Sequence, residues 1–176
     1  MNPSPLSLPP AAIQRICDDI RDHGRAGVET GGLLLTGRGQ SEVQAVAIAG
    51  LAGITRKYGM FLIERPAFDT IFTWAEDHGL QVRAMVHSHG EEAFLSRTDR
   101  EGGLQVPGFI SAVVPTFADP PADPSAWGWW TYRTDPGADR GGERGSEWTP
   151  IPAPAIDDSR RSVTSVVFDG DGVRVE

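Results

Sequence analysis

Residues 81–99, QVRAMVHSHGEEAFLSRTD, run from an apolar, β-prone segment into two histidines and then into a Ser-x-x-Asp. Side chains at i and i+2 of a strand share a face. A strand over Gln81–Val86 that delivers this segment therefore aims His87 and His89 at one point. An aspartate arriving from the next turn, Asp99, would complete a three-ligand set of the kind that holds a catalytic zinc while leaving its fourth position to water. A plainer reading stands beside it, a polar strand end entering a loop. Ser96 followed three residues later by Asp99 also has the form of a capping box, although that motif prefers Glu or Gln. The two readings are compatible, because a cap would hold Ser96 and Asp99 rigidly in a first helical turn. Gly102 and Gly103 keep any such helix short.

Working outward, Pro9 and Pro10 suit a helix start, and Ile13, Ile16, Cys17 and Ile20 give an i, i+3, i+4, i+7 stripe that stops near His23-Gly24. Strands are expected at Gly31–Leu35, Val43–Ala49 and Met60–Ile63. A second helix is expected from Pro66 to His78, with Phe68, Ile71, Phe72 and Ala75 as its apolar stripe. Phe109–Val114 and Trp127–Tyr132 read as further strands. The stretch 136–161 is rich in Gly, Pro, Asp and Arg and reads as a flexible segment. Val163–Phe168 and Val173–Val175, joined by Asp169-Gly-Asp-Gly, read as a terminal hairpin. This pattern predicts an α/β or α+β fold, a mixed sheet flanked by helices. It also predicts a division into residues 1–135, a Gly/Pro-rich segment 136–161, and a C-terminal hairpin or tail 162–176.

The chain has 176 residues, enough for a domain with a substantial core. Its net charge of −8 argues against a nucleic-acid binder. No apolar run is long enough to cross a membrane, and Met1–Leu6 lacks the basic and apolar regions of a secretory signal. Cys17 is the only cysteine, which excludes an internal disulfide and fits a cytoplasmic setting. Of the four histidines, His23 and His78 each precede a glycine at an expected helix end, where an imidazole can meet free carbonyls. His87 and His89 have no such role to fill. A carboxylate, Glu29, stands just before the glycine-rich strand. Alone it reads as a solvated charge; beside an acidified water it reads as a general base.

Glu29-Thr-Gly-Gly-Leu-Leu-Leu, His87-Ser88-His89 and Ala93-Phe94-Leu95-Ser96-Arg97-Thr98-Asp99 together resemble the JAMM motif of the MPN (JAB-domain) zinc metalloproteases, bacterial type. The likeness covers roughly residues 7 to 133. It implies an MPN/cytidine-deaminase-like layering in the first 135 residues. It implies that His87, His89 and Asp99 ligate one Zn2+, that Glu29 relays a proton from the attacking water to the leaving amine, and that Ser96 hydrogen-bonds the oxyanion. Ser88 would face away and serve a structural role. Two departures are visible: the loop from His89 to Ser96 is one residue shorter than the family's usual spacing, and Gly90 stands where a proline normally follows the second histidine. The resemblance further implies a peptidase or isopeptidase that acts at the C-terminus of a ubiquitin-like or sulfur-carrier protein, alongside activating or conjugating enzymes. The alternative is a non-catalytic MPN-type scaffold. The edge near Met60–Ile63 is the expected place for an extended substrate tail to add as a strand.

Overall fold

Gly31–Gly37 is buried along its whole length, as expected for a strand covered on both faces. A computed structural model describes residues 5–135, 145–160 and 162–176. In chain order its elements are β1 (Ser7–Leu8), α1 (Pro10–Arg25), β2 (Gly31–Gly37), β3 (Val43–Ala49), β4 (Ile54–Lys57), β5 (Met60–Ile63), α2 (Arg65–Asp77), β6 (Leu80–Ser88), α3 (Arg97–Gly102), β7 (Ile110–Val114), β8 (Gly128–Asp135), β9 (Gly145–Pro150), β10 (Ala155–Ile156), β11 (Thr164–Asp169) and β12 (Gly172–Val175). Eight strands form one sheet in the order β12-β11-β3-β2-β6-β7-β8-β9. The β3–β11 and β6–β7 pairs are parallel and the remaining pairs antiparallel. The fold is thus the mixed α+β sheet, flanked by helices, that the sequence predicts.

The alternation of β2 distributes its leucines to two layers. Leu34 joins Ile13, Ile16 and Ile20 of α1 on one face. Leu33 and Leu35 join Phe68 and Ile71 of α2 on the other. Helix α1 begins at Pro10 with Pro9 as its N-cap residue, because proline's fixed φ suits the first turn. His23 and His78 place Nδ1 3.0 and 2.7 Å from the carbonyls of Asp19 and Trp74, one turn back. Cys17 is buried, and burial pushes its thiol up to about 11. Among the described residues no helix is long and apolar enough to cross a membrane.

Two expectations are corrected. Within 136–161, read as a flexible segment, Gly145–Pro150 is the edge strand β9, paired with β8, and Ala155–Ile156 pairs in parallel with β1. Residues 136–144 and 161 lie outside the described residues. The composition hid β9, whose anchor is Trp148, 6% exposed and edge-on to Tyr132 at 5.3 Å. Phe72 is the second correction. It lies at the edge of the α2 stripe, exposed, and stacks on Phe68 at 5.9 Å. The terminal hairpin β11–β12 forms as expected, but it extends the main sheet through β3, and Phe168 is fully buried. Trp127 and Trp129 belong to the core and stack at 5.7 Å.

Strand β2 has room for no side chain at its start. A Cβ on Gly32 would stand 2.5 Å from the Ala47 carbonyl oxygen, and one on Gly31 2.4 Å from that of Val86. Overpacking of this kind costs roughly 1–3 kcal/mol. Gly32→Ala is therefore expected to lower stability in denaturant unfolding by that amount; an unchanged midpoint would contradict the close β2–β3 approach.

Candidate metal centre

Strand β6 carries the first histidine in register. His87 pairs with Gly31 of β2 and Val113 of β7, and its ring lies 6.5 Å from that of Phe61 in a near-parallel stack. Ser88 turns to the other side, as expected, and clips the start of β2. Its Oγ accepts the Thr30 N–H at 3.0 Å and donates to the Thr30 carbonyl at 3.3 Å, while its own N–H donates to that carbonyl at 2.9 Å. His89 lies just past the strand. Its N–H donates to the Val114 carbonyl at 2.9 Å, and its carbonyl accepts the Phe117 N–H at 3.1 Å. The chain is therefore pinned on both sides of the pair.

The Ser-x-x-Asp closes a capping box at the start of α3. The Asp99 N–H donates to Ser96 Oγ at 3.1 Å, and the Ser96 N–H donates to Asp99 Oδ2 at 2.9 Å. Aspartate fills the role usually taken by Glu or Gln. The box aims the carboxylate at the histidines, with Asp99 Oδ1 3.1 Å from His87 Nε2 and Oδ2 3.0 Å from His89 Nε2. The two Nε2 atoms are 3.2 Å apart. The shortened loop therefore leaves Asp99 within reach of both rings. Strand β9 supports the same helix from outside the motif, since Trp148 Nε1 donates to the Arg100 carbonyl at 3.2 Å.

These three contacts are chemically awkward without a cation. If both imidazoles donate from Nε2 to Asp99, their N–H groups confront each other. His89 Nδ1 lies 3.1 Å from the Glu92 carbonyl, which favours the tautomer with its proton on Nδ1 and a bare Nε2. A tetrahedral ion with ligand bonds near 2.0–2.1 Å separates its ligand atoms by about 3.3 Å, close to the observed spacing. The residues present therefore fit a metal. The ligand atoms of Glu29, His87 and His89 likewise lie within 4.8 Å of one another, a buried cluster able to hold an ion.

Glu29 and Asp99 are carboxylates in opposed environments. Glu29 is 4% exposed and its Oε2 has no hydrogen-bond partner among the described residues. Burial pushes its carboxyl up to about 7; His89 opposes the rise and the Asp99 charge adds to it. Burial also acts to raise Asp99, but the adjoining His87 and His89 rings and the Ser96 N–H overcome it and hold Asp99 well below the ordinary range. Burial lowers His89, yet Asp99, Glu29 and the Glu92 carbonyl together leave it raised. Glu29, His89 and Ser96 open onto a cleft of about 360 Å³.

The network behind Glu29 leaves little trace in the residue pattern. Thr30 Oγ1 donates to Asp19 Oδ2 at 3.3 Å and accepts from Arg56 Nε at 2.9 Å; Arg56 also donates to the carbonyls of Ala49 and Gly50. The Glu29 N–H donates to the Lys57 carbonyl at 2.9 Å, fixing it to β4. One signal was present: Asp19 sits between Ile16 and Ile20 on the buried side of α1, where an unpaired acid is costly. Phe61 and Trp148 carried no motif.

A protein of Desulfitobacterium hafniense solved in solution shares 15% identity with this chain at a TM-score of 0.59, over 87% of this chain and 93% of that one. One of Salinibacter ruber shares 21% at a TM-score of 0.55, over 90% and 96%. A JAB1/MPN domain protein of Archaeoglobus fulgidus shares 12% at a TM-score of 0.49, over 86% and 97%. Comparison with curated proteins gives no match. The family model for prokaryotic homologs of the JAB domain matches residues 13–129, a span that contains Glu29, His87, His89 and the α3 cap. With more than half its length so matched, the chain belongs to the prokaryotic JAB domain family.

Proposed function

We propose that the chain is a zinc-dependent peptidase or isopeptidase that hydrolyses an amide at the C-terminus of a ubiquitin-like or sulfur-carrier protein in the cytoplasm. The observation that carries this reading is the approach of His87 Nε2, His89 Nε2 and the Asp99 carboxylate to 3.0–3.2 Å beside the buried Glu29, whose Oε2 has no hydrogen-bond partner among the described residues. His87, His89 and Asp99 would hold the zinc, which when bound supplies a Lewis acid for the scissile carbonyl and acidifies water.

The chain's own groups do the rest. Glu29 accepts the proton of the attacking water at a carboxylate oxygen and returns it to the leaving nitrogen. A carboxyl near pH 7 both takes up and releases a proton readily. Ser96 Oγ accepts the Asp99 N–H, so its own proton is free for the oxygen of the tetrahedral intermediate. The capping box fixes that hydroxyl beside the metal ligand, and this rigidity supports its assignment. Ser88 and Thr30 hold the two strand ends together and so fix the distance from Glu29 to the histidines. Strand β5 pairs only with β4 among the described residues, which leaves an edge for an extended Gly-Gly-type tail to add to. Activating or conjugating enzymes for that partner are the expected companions.

Purified protein should contain about one zinc per chain by elemental analysis. His87→Ala and Asp99→Ala should each lose it. Glu29→Gln should keep the zinc yet lose hydrolysis of a ubiquitin-like precursor by about a hundredfold or more. Metal-free wild-type protein would support the scaffold alternative, and full activity of Glu29→Gln would remove the base assignment.

The metal-free protein carries a pH signature. The folded Glu29 carboxyl titrates at about 7, above its ordinary 4.5. Its contribution to stability is thus fully present below the unfolded value and is lost as pH rises through the folded one. Metal-free Glu29→Gln should therefore be more stable than the metal-free parent at pH 8, by roughly 1–3 kcal/mol, with the gap closing near pH 5. A gap that stays constant with pH would show that Glu29 is solvated.

A further inference from the structure

The loop between the metal centre and α3 is anchored by its backbone and leaves its acids unpaired. The Glu91 carbonyl accepts the Thr116 N–H at 2.9 Å, and the Glu92 carbonyl faces His89 Nδ1 at 3.1 Å. Both side chains are exposed and line the cleft, and neither has an ion-pair partner among the described residues. The unpartnered Oε2 of Glu29, itself 4% exposed, lies at the wall of the same cleft. Among the described residues no lysine or arginine lines it. The basic residues of α3 are engaged elsewhere: Arg97 pairs with Glu101 at 2.8 Å, and Arg100 Nε donates to the Leu95 carbonyl at 3.3 Å.

Even with a divalent cation bound, the carboxylates of Glu91, Glu92 and Asp99 outweigh its charge, and Glu29 adds to the excess whenever it is ionised. Two aromatic rings flank these acids. Tyr58 is 64% exposed and Phe94 52%. Each has a ring neighbour, since Tyr58 meets Phe117 edge-on at 6.0 Å and Phe94 meets His89 edge-on at 4.8 Å. Exposed rings beside unpaired carboxylates form a receptor for an organic cation, through ring faces and charge-assisted hydrogen bonds together. A guanidinium, planar and weakly hydrated, suits such a site better than an ammonium.

We propose that this cleft selects an amide flanked by a basic side chain, an arginine above all, received between Tyr58 and Phe94 and paired with Glu91 and Glu92. The selectivity rests on the peptidase reading above, because it names the substrate of the same site.

Two peptides carrying a Gly-Gly amide test it, one with arginine beside the Gly-Gly and one with citrulline, its uncharged isostere. Affinity is measured by fluorescence anisotropy on the zinc-loaded full chain bearing Glu29→Gln, and hydrolysis on the zinc-loaded wild type. The arginine peptide should bind about threefold to tenfold more tightly at low salt, the range of one or two exposed ion pairs, and the preference should shrink as salt rises. Adding Glu91→Gln and Glu92→Gln should abolish the preference, leaving zinc content, unfolding temperature and affinity for the citrulline peptide unchanged. Equal affinities, binding of neither peptide, or a preference that survives the double substitution would overturn the proposal. Failure of hydrolysis with the arginine preference intact would instead count against the peptidase reading. Hydrolysis of both peptides at equal efficiency would leave that reading standing and remove the selectivity.

Discussion

Three polar side chains drawn together to hydrogen-bonding distance constrain the rest of this molecule. His87 Nε2, His89 Nε2 and Asp99 come from a strand, from the residue just beyond it and from a short helix. Such a group does not assemble without support, because two imidazoles and a carboxylate removed from water lose solvation that their mutual contacts restore only in part. The surrounding structure supplies the support in pieces. Strand β6 is paired on both sides, by β2 and β7. Ser88 locks the β6 end to Thr30, the capping box fixes Asp99, and Trp148 of β9 holds the helix that carries it.

The second organising feature is the contrast between the two buried acids. Asp99 lies against two imidazoles and accepts a backbone N–H, which hold its carboxyl well below the ordinary range. Glu29 is enclosed without such donors and is pushed up to about 7. Separate environments give like groups separate tasks, one suited to permanent charge and one to exchanging a proton. The loop acids Glu91 and Glu92 form a third class, solvated and available to a partner.

Much of this was legible in the sequence because it is local or periodic. The α1 stripe, the buried run Leu33–Leu35, the alternation of Val43–Ala49 and the proline-started helices follow from short-range patterns. The convergence of His87, His89 and Asp99 was legible because two short-range geometries, the strand repeat and the helix cap, point the same way. What escaped was long-range. Strand β9 has a loop-like composition, and its Trp148 is buried. The terminal hairpin was visible, but its parallel partner β3 lies more than a hundred residues away. Arg56 acts through backbone carbonyls, which leave no residue pattern to read.

The account turns on which side chains surround a bound ion. Diffraction at the zinc absorption edge from crystals grown with zinc, read with the fine structure of the absorption spectrum, locates the ion and its ligands together. The account predicts one zinc at about 2.0–2.2 Å from His87 Nε2, His89 Nε2 and an Asp99 oxygen, with Glu29 beyond bonding distance. Zinc bound by Glu29, His87 and His89 with Asp99 turned away, or no zinc at this position, would contradict it.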